Sequence, residues 1–398
     1  MRKDWKYYDF GVLFPISMGK TPPRAGAQYW DPEKKTSNLW VSIADISQNE
    51  GRKIHDTKEY VSDLGASGIS LVKKGSLLLS FKLSIGKMAF AGRDLYTNEA
   101  IIAIPETKGF DQQFLYYYLS SLDWNTLSGG SVKVKGKTFN KKSLSKIPIP
   151  KIPLSEQQEI VSRINKEFQK VDGIIENSLS ILNEARFLFY SFLREETFSK
   201  NWNSKTLEQI CSKIGAGATP KGGRKVYTQE GCSLIRSMNV HRCFFKYDDL
   251  AHITPSAAGN LKGVTIHEND VLFNITGASI ARCCVVPKDV LPARVNQHVA
   301  ILRIQDYVLP EFLSYALNSE MHQRQLLVIG ETGSTRQALT KEDLKKHQVA
   351  FPSKDEQRII IEKLDAVSNK ISKLEDHYST IYRDCAELKQ SILKVYFD

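Results

Sequence analysis

No cysteine precedes Cys211; the six in the chain are Cys211, Cys232, Cys243, Cys283, Cys284 and Cys385. None is spaced C-x-x-C, which excludes the commonest zinc ligation and gives a disulfide framework no foothold in the first half. A reducing, cytoplasmic compartment is the expectation. No run of 18 apolar residues occurs, so no membrane span is expected. Met1-Arg2-Lys3-Asp4-Trp5 carries an early acid and no apolar signal core. Catalytic signatures are equally scarce. There is no H-E-x-x-H, no G-x-S-x-G, no G-x-G-x-x-G opening a helix, and no N-P-P-Y or D-P-P-Y for an amino-methyltransferase pocket. The nearest approach is Gly130–Thr138, G-S-V-K-V-K-G-K-T, where five residues separate the glycines instead of the four a phosphate-cradling P-loop needs. His241, His252, His267 and His298 are scattered and read as structural or surface residues.

What the chain has is nearly the same message twice. Gly19-Lys20-Thr21-Pro22 returns as Gly217-Ala218-Thr219-Pro220, and Glu156-Gln157 as Glu356-Gln357. Trp5 matches Trp202, Ser84–Lys87 matches Ser279–Arg282, Asn98 matches Asn296, Phe114-Leu115 matches Phe312-Leu313, and Leu144 matches Leu344. The spacing is half of 398 residues, so the chain is a tandem duplication of the kind that builds a reader for a two-part target.

Charge is distributed by segment. Residues 1–150 hold 22 Lys and Arg against 14 Asp and Glu, and residues 201–352 hold 18 against 13. Residues 151–200 and 353–398 are each one charge negative, so the formal excess of +11 sits in the two larger segments. Each of those carries the footprint of a polyanion. Aromatic residues interleave with the bases: Tyr29, Trp30, Trp40 and Phe139 in one copy, Tyr227, Phe244, Phe245 and Tyr247 in the other. Lys133, Lys135, Lys137, Lys141 and Lys142 form a basic loop leading into a helix near Asn140. Its counterpart runs through Arg336 into a helix capped by Thr340, with Lys341 in its first turn. A helix start beside basic residues suits phosphate oxygens.

The larger segments read as mixed α/β, with strands at 75–80, 101–104, 269–274 and 299–304 and helices at 110–122 and 309–318. Pro148, Pro150, Pro153 and Pro352 mark segment edges. Beyond them come two long helical patterns without proline. Ser155 and Asp355 are the expected caps, Ser155 with Gln158 as a capping box. One seam is Ile164, Val171, Ile175, Leu182 and Phe189. The other is Leu364, Ile371, Leu374, Tyr378, Ile381 and Leu388. About 40 residues at 1.5 Å each give a rod of roughly 60 Å, and two such heptad rods are expected to pair antiparallel.

The ordering is Trp, Gly-x-Thr-Pro, strand, Asn-Glu/Gln, helix, basic loop, Pro-rich segment, Glu-Gln and heptad helix, then all of it again. Over the full chain this resembles the specificity subunit of type I restriction–modification systems. The resemblance is firmest at Pro153, Glu156, Gln157, Pro352, Glu356 and Gln357. It implies tandem α/β (α+β) target recognition domains at 1–152 and 201–352. Spacer helices at 153–200 and 353–398 would form an antiparallel coiled coil with internal pseudo-twofold symmetry. It implies a non-catalytic subunit with no cofactor of its own. Each recognition domain would read one half of a split target on double-stranded DNA. Methyltransferase subunits, two by symmetry, would carry S-adenosylmethionine, and restriction subunits could add ATP-driven cleavage. Lys133, Lys135, Lys137 and Arg336 would mainly meet phosphates, with Arg24, Lys87, Arg224 and Arg282 nearer the bases. Two other readings stand beside it: a duplicated coiled-coil scaffold for protein partners alone, and a nucleotide-binding enzyme using 130–138.

Overall fold

The computed structural model describes residues 2–82, 84–127, 141–199, 201–331 and 338–398. The chain divides into two units. The first is Met1–Asn177 with Thr380–Asp398, and the second is Ser178–Ser379. Each takes part of both long helices, which run Leu154–Glu196 and Lys354–Phe397.

The first unit holds a five-stranded sheet in the order Ser17–Met18, Ile101–Ile104, Leu77–Ser80, Met88–Ala91 and Lys53–Ile54. A three-stranded sheet sets Leu39–Val41 between Glu59–Tyr60 and Tyr96–Thr97. The second unit repeats the plan with two four-stranded sheets. One runs Cys211–Ala216, Val299–Ile304, Val271–Asn274, Cys283–Val285. The other sets Ala251–Ile253 and Cys232–Ile235 between Tyr227–Thr228 and Ala293–Val295. The central strands are buried on both faces, which is why they read as continuous apolar runs. Helices Gln112–Ser121 and Pro310–Asn318 cover the larger sheets, presenting Phe114 and Phe312 to the cores.

The motif glycines are explained by close approach. A Cβ on Gly19 would overlap the Thr97 carbonyl, and one on Gly217 that of Asn296. Trp5 packs 6.2 Å from Phe114, and Trp202 5.8 Å from Phe312.

Some local expectations shift. Pro148–Pro150 is more than an edge marker, because it forms an edge strand antiparallel to Tyr7–Asp9. Proline is tolerated there since an edge strand can leave one side unpaired. Gln348–Phe351 pairs with Asn203–Thr206 in the same way. The first long helix starts at Leu154, so Ser155 lies inside its first turn and Gln158 is exposed. The second starts at Lys354, and Ser353 rather than Asp355 caps it, its hydroxyl accepting from the Glu356 amide at 3.4 Å. The helical rhythm is correct in both; the start lies one or two residues earlier, where sequence is least decisive.

Within each unit the two helices run antiparallel. In the first unit, Lys389 ion-pairs with Asp172 and the Tyr396 hydroxyl donates to Glu167 at 3.0 Å. In the second, Arg186 forks onto Glu375 and Lys363 meets Glu196. Residue numbers fall on one helix as they rise on the other. Ile164, Val171, Leu182, Phe189 and Leu364 are buried, while Ile175, Ile371, Leu374, Tyr378 and Ile381 are half-buried. Leu388 departs from the expected seam, being 46% exposed, and Cys385 and Leu393 are buried in its place. Lys389 explains the turn of the face. Its ammonium lies 5.1 Å from the Phe168 ring centroid and pairs with Asp172, so a half-buried charged residue occupies the stripe.

Candidate nucleic-acid interface

Glu-Gln at the start of each long helix has a structural meaning. Gln157 is fully buried. Its Oε1 accepts the Asp111 amide at 2.9 Å, and its Nε2 donates to the carbonyls of Gly109 at 2.8 Å and Ile152 at 2.9 Å. Gln357 does the same in the second unit, accepting from Leu309 at 2.8 Å and donating to Tyr307 at 3.2 Å and Pro352 at 3.0 Å. A glutamine amide offers both donors and an acceptor, and each buried Gln fills all three roles. The hydroxyls of Tyr117 and Tyr315 add a second tie, donating to Asn165 and Asp365. Each α/β segment is thus keyed to a long helix of its own unit, and whatever the segment grips is held in fixed register to that helix.

The basic candidates fall into three groups. Lys133, Lys135, Lys137 and Arg336, with the whole near-P-loop at 130–138, lie outside the described residues. Arg224 sits in the 3₁₀ turn Gly223–Val226, and its side chain is also outside them. Lys141 and Lys142 open the short helix Lys141–Ser145, exposed. Lys341 opens Lys341–Lys346, whose capping box joins Thr340 and Asp343.

The remaining three differ in how they are held. Arg24 lies over Trp30 at 4.2 Å and Trp40 at 4.8 Å and is ion-paired to Glu59. Lys87 is ion-paired to Glu50. Arg282, the counterpart of Lys87, instead lines a cleft of 640 Å³ in the second unit, with Arg186, His241, Arg242, Phe244 and Glu375. Arg186 engages Glu375 with two N–H groups. The Arg242 guanidinium lies 5.5 Å from the Tyr190 ring centroid. His241 and Phe244 stack at 4.9 Å with 17° between their planes, and Phe244 is 49% exposed. Burial, together with the positive charge of Arg282, pushes the His241 imidazole below its ordinary range, so the ring in the stack is neutral at pH 7.

Sequence reasoning set His241 aside as structural and did not single out Arg242. The available signal was a charge change between copies. The amides of Gly51 and Cys243 make equivalent hydrogen bonds, to the Met88 carbonyl at 2.9 Å and the Cys283 carbonyl at 3.0 Å. That makes Glu50 of the first unit the counterpart in the repeat of Arg242 in the second.

Among the described residues no cluster of His, Cys, Asp and Glu could hold a metal ion, and no helix is long and apolar enough to cross a membrane. Comparison with known proteins gives a consistent result. The family model of the type I restriction modification DNA specificity domain matches residues 2–184 and again 199–380. The type I restriction enzyme MjaIX specificity subunit of Methanocaldococcus jannaschii is 23% identical over 314 residues, covering 72% of this chain and 69% of the relative. The EcoBI specificity subunit of Escherichia coli is 24% identical over 326 residues, covering 73% of this chain and 66% of the relative. A chain from a solved structure described as the basis of complex assembly and conformational transition of the type I R-M system superposes with a TM-score of 0.63. It is 19% identical and covers 100% of this chain and 98% of its own. At that identity the superposition speaks for the fold.

Proposed function

The chain belongs to the type I restriction–modification DNA specificity family, and from that premise we propose that it is the DNA-reading subunit of a type I complex, recognising a bipartite duplex target. The carrying observation is the duplication. Two copies of one basic α/β plan are each locked by a buried glutamine to a long helix of their own unit. A rigid link between grip and helix is what a reader of two separated half-sites needs.

Recognition belongs to 1–152 and 201–352, and spacing to 153–200 and 353–398. Lys141, Lys142 and Lys341 supply phosphate contacts that position the duplex without reading it. The subunit performs no chemistry. Adenine methylation belongs to methyltransferase subunits, two per complex, that use S-adenosylmethionine, and ATP-dependent cleavage to restriction subunits where they join. The assembly works in the cytoplasm, where the chromosome is.

The test is a methylome of cells with and without the gene. A split motif with a methylated adenine in each half should appear only with it. Loss of no motif on deletion, in cells whose methyltransferase subunits are expressed and active, overturns the reading.

A further inference from the structure

We propose that the cleft beside Arg242 and Arg282 in the second unit is a phosphate clamp for the backbone of duplex DNA, and that the first unit has no equivalent clamp. The proposal rests on the DNA-recognition reading and deepens it.

The argument begins with the acids. Among the described residues Glu375 is the only carboxylate lining the cleft, and it is ion-paired with Arg186, whose two N–H groups meet its Oε1. Among the described residues Arg242 and Arg282 therefore face the cleft without a carboxylate of their own. Two guanidiniums brought into one concavity repel each other unless an anion joins them. Arginine presents a fork that fits phosphate oxygens two at a time.

The first unit resolves the same place differently. Glu50 stands where Arg242 would be and is ion-paired to Lys87, so the position is neutral. At this position the first unit thus holds an ion pair where the second has an open basic cleft, and Asn49 and Arg52 replace the stacked His241 and Phe244. The exposed Phe244 edge and the neutral His241 ring provide a flat apolar rim against which a deoxyribose can rest. This combination favours a sugar–phosphate backbone over a purely acidic peptide.

The measurement uses the full chain and a fluorescein-labelled 30-bp duplex of random sequence, titrated at several KCl concentrations. Random sequence suffices because phosphate contacts carry no sequence information. Arg242→Gln and Arg282→Gln should each weaken binding about three- to tenfold and reduce the slope of log affinity against log salt by about 0.9. Lys394→Gln, which removes one exposed charge elsewhere, should leave the slope near the wild-type value. Should a glutamine variant melt early, Arg282→Lys keeps the charge and should keep the slope, and Phe244→Ala should weaken binding without changing it. Wild-type binding with unchanged affinity and slope in both arginine variants overturns the clamp while sparing the DNA reading. Failure of the wild type to bind duplex at any salt overturns the reading itself. Unchanged DNA binding, with loss of a co-purifying protein, shows the cleft to be a protein contact and also overturns the clamp.

Discussion

At the scale of single residues, the two buried glutamines carry more than their neighbours. Removing the Gln157 or Gln357 side chain breaks three part-buried or buried hydrogen bonds at once, leaving one backbone N–H and two carbonyls without their partner in the fold. Gln157→Leu and Gln357→Leu should each lower unfolding free energy by about 2–3 kcal/mol in denaturant titrations, whereas Glu356→Ala, at an exposed site, should stay within about 0.5 kcal/mol. The sequence marked Glu-Gln as important but could not say why, since partners 46 to 50 residues away are invisible to local pattern. A second residue-scale feature had no local signal at all. His322 and His347 are buried, and their rings meet Nδ1 to Nε2 at 2.8 Å. Burial depresses both, His322 to about 3 with help from the His347 charge and His347 to about 4. A hydrogen bond between two imidazoles needs one donor and one acceptor, which rules out protonation of both rings, and burial favours the neutral pair in the folded state. In the unfolded chain both would protonate near 6.5. The unfolded state therefore binds more protons below that value. The contribution is complete above pH 6.5 and is lost as pH falls towards 4. His322→Asn with His347→Gln, which retains a donor and an acceptor at those atoms, should flatten the loss of stability between pH 6.5 and 4.

At the scale of elements, period and length were legible and phase was not. Both long helices, the central strands and the covering helices stand where apolar spacing put them. The miss at Leu388 shows the limit. A seam counted from apolar residues alone passes over Lys389, whose ammonium lies over the Phe168 ring and pairs with Asp172. Leu388 is consequently turned outward, and Leu393 completes the stripe. Leu388→Ala should change stability by less than about 0.5 kcal/mol, while Leu393→Ala should cost about 2–5 kcal/mol in the same urea titration. Equal costs would restore the original seam. The caps teach a related lesson. Ser155 and Asp355 satisfied a capping pattern, yet the helices begin two residues earlier, because the Gln157 and Gln357 amides bond back to the carbonyls of Pro153 and Ser353. The candidate interface was legible only as composition. A basic segment was visible, but whether a given base was free or neutralised depended on acids brought in by folding, Glu59 for Arg24 and Glu50 for Lys87.

At the scale of the whole molecule, order along the chain and order in the fold part company. The last residues, Thr380–Asp398, belong to the unit that begins the sequence. Phe397 is buried in that unit's core, with ring centroids 5.5 Å from Phe114, 5.5 Å from Tyr118 and 6.2 Å from Trp5. Leu393 joins the same cluster. A lesion in Thr380–Asp398 should therefore be felt in the α/β segment of the first unit, far away in sequence, rather than in that of the second, which is nearer along the chain. Replacing Phe397 by Ala removes a ring packed on three aromatic neighbours, at a cost of about 3–5 kcal/mol. Hydrogen–deuterium exchange locates the damage. Peptides covering Gln112–Ser121 should lose protection, while those covering Pro310–Asn318 should keep it. The reverse pattern, or equal loss in both, would mean that the C-terminal segment does not build the first unit's core. If recognition divides between residues 1–152 and 201–352 as proposed, the functional consequence has the same direction: Phe397→Ala should weaken recognition of the first segment's half-site before that of the second.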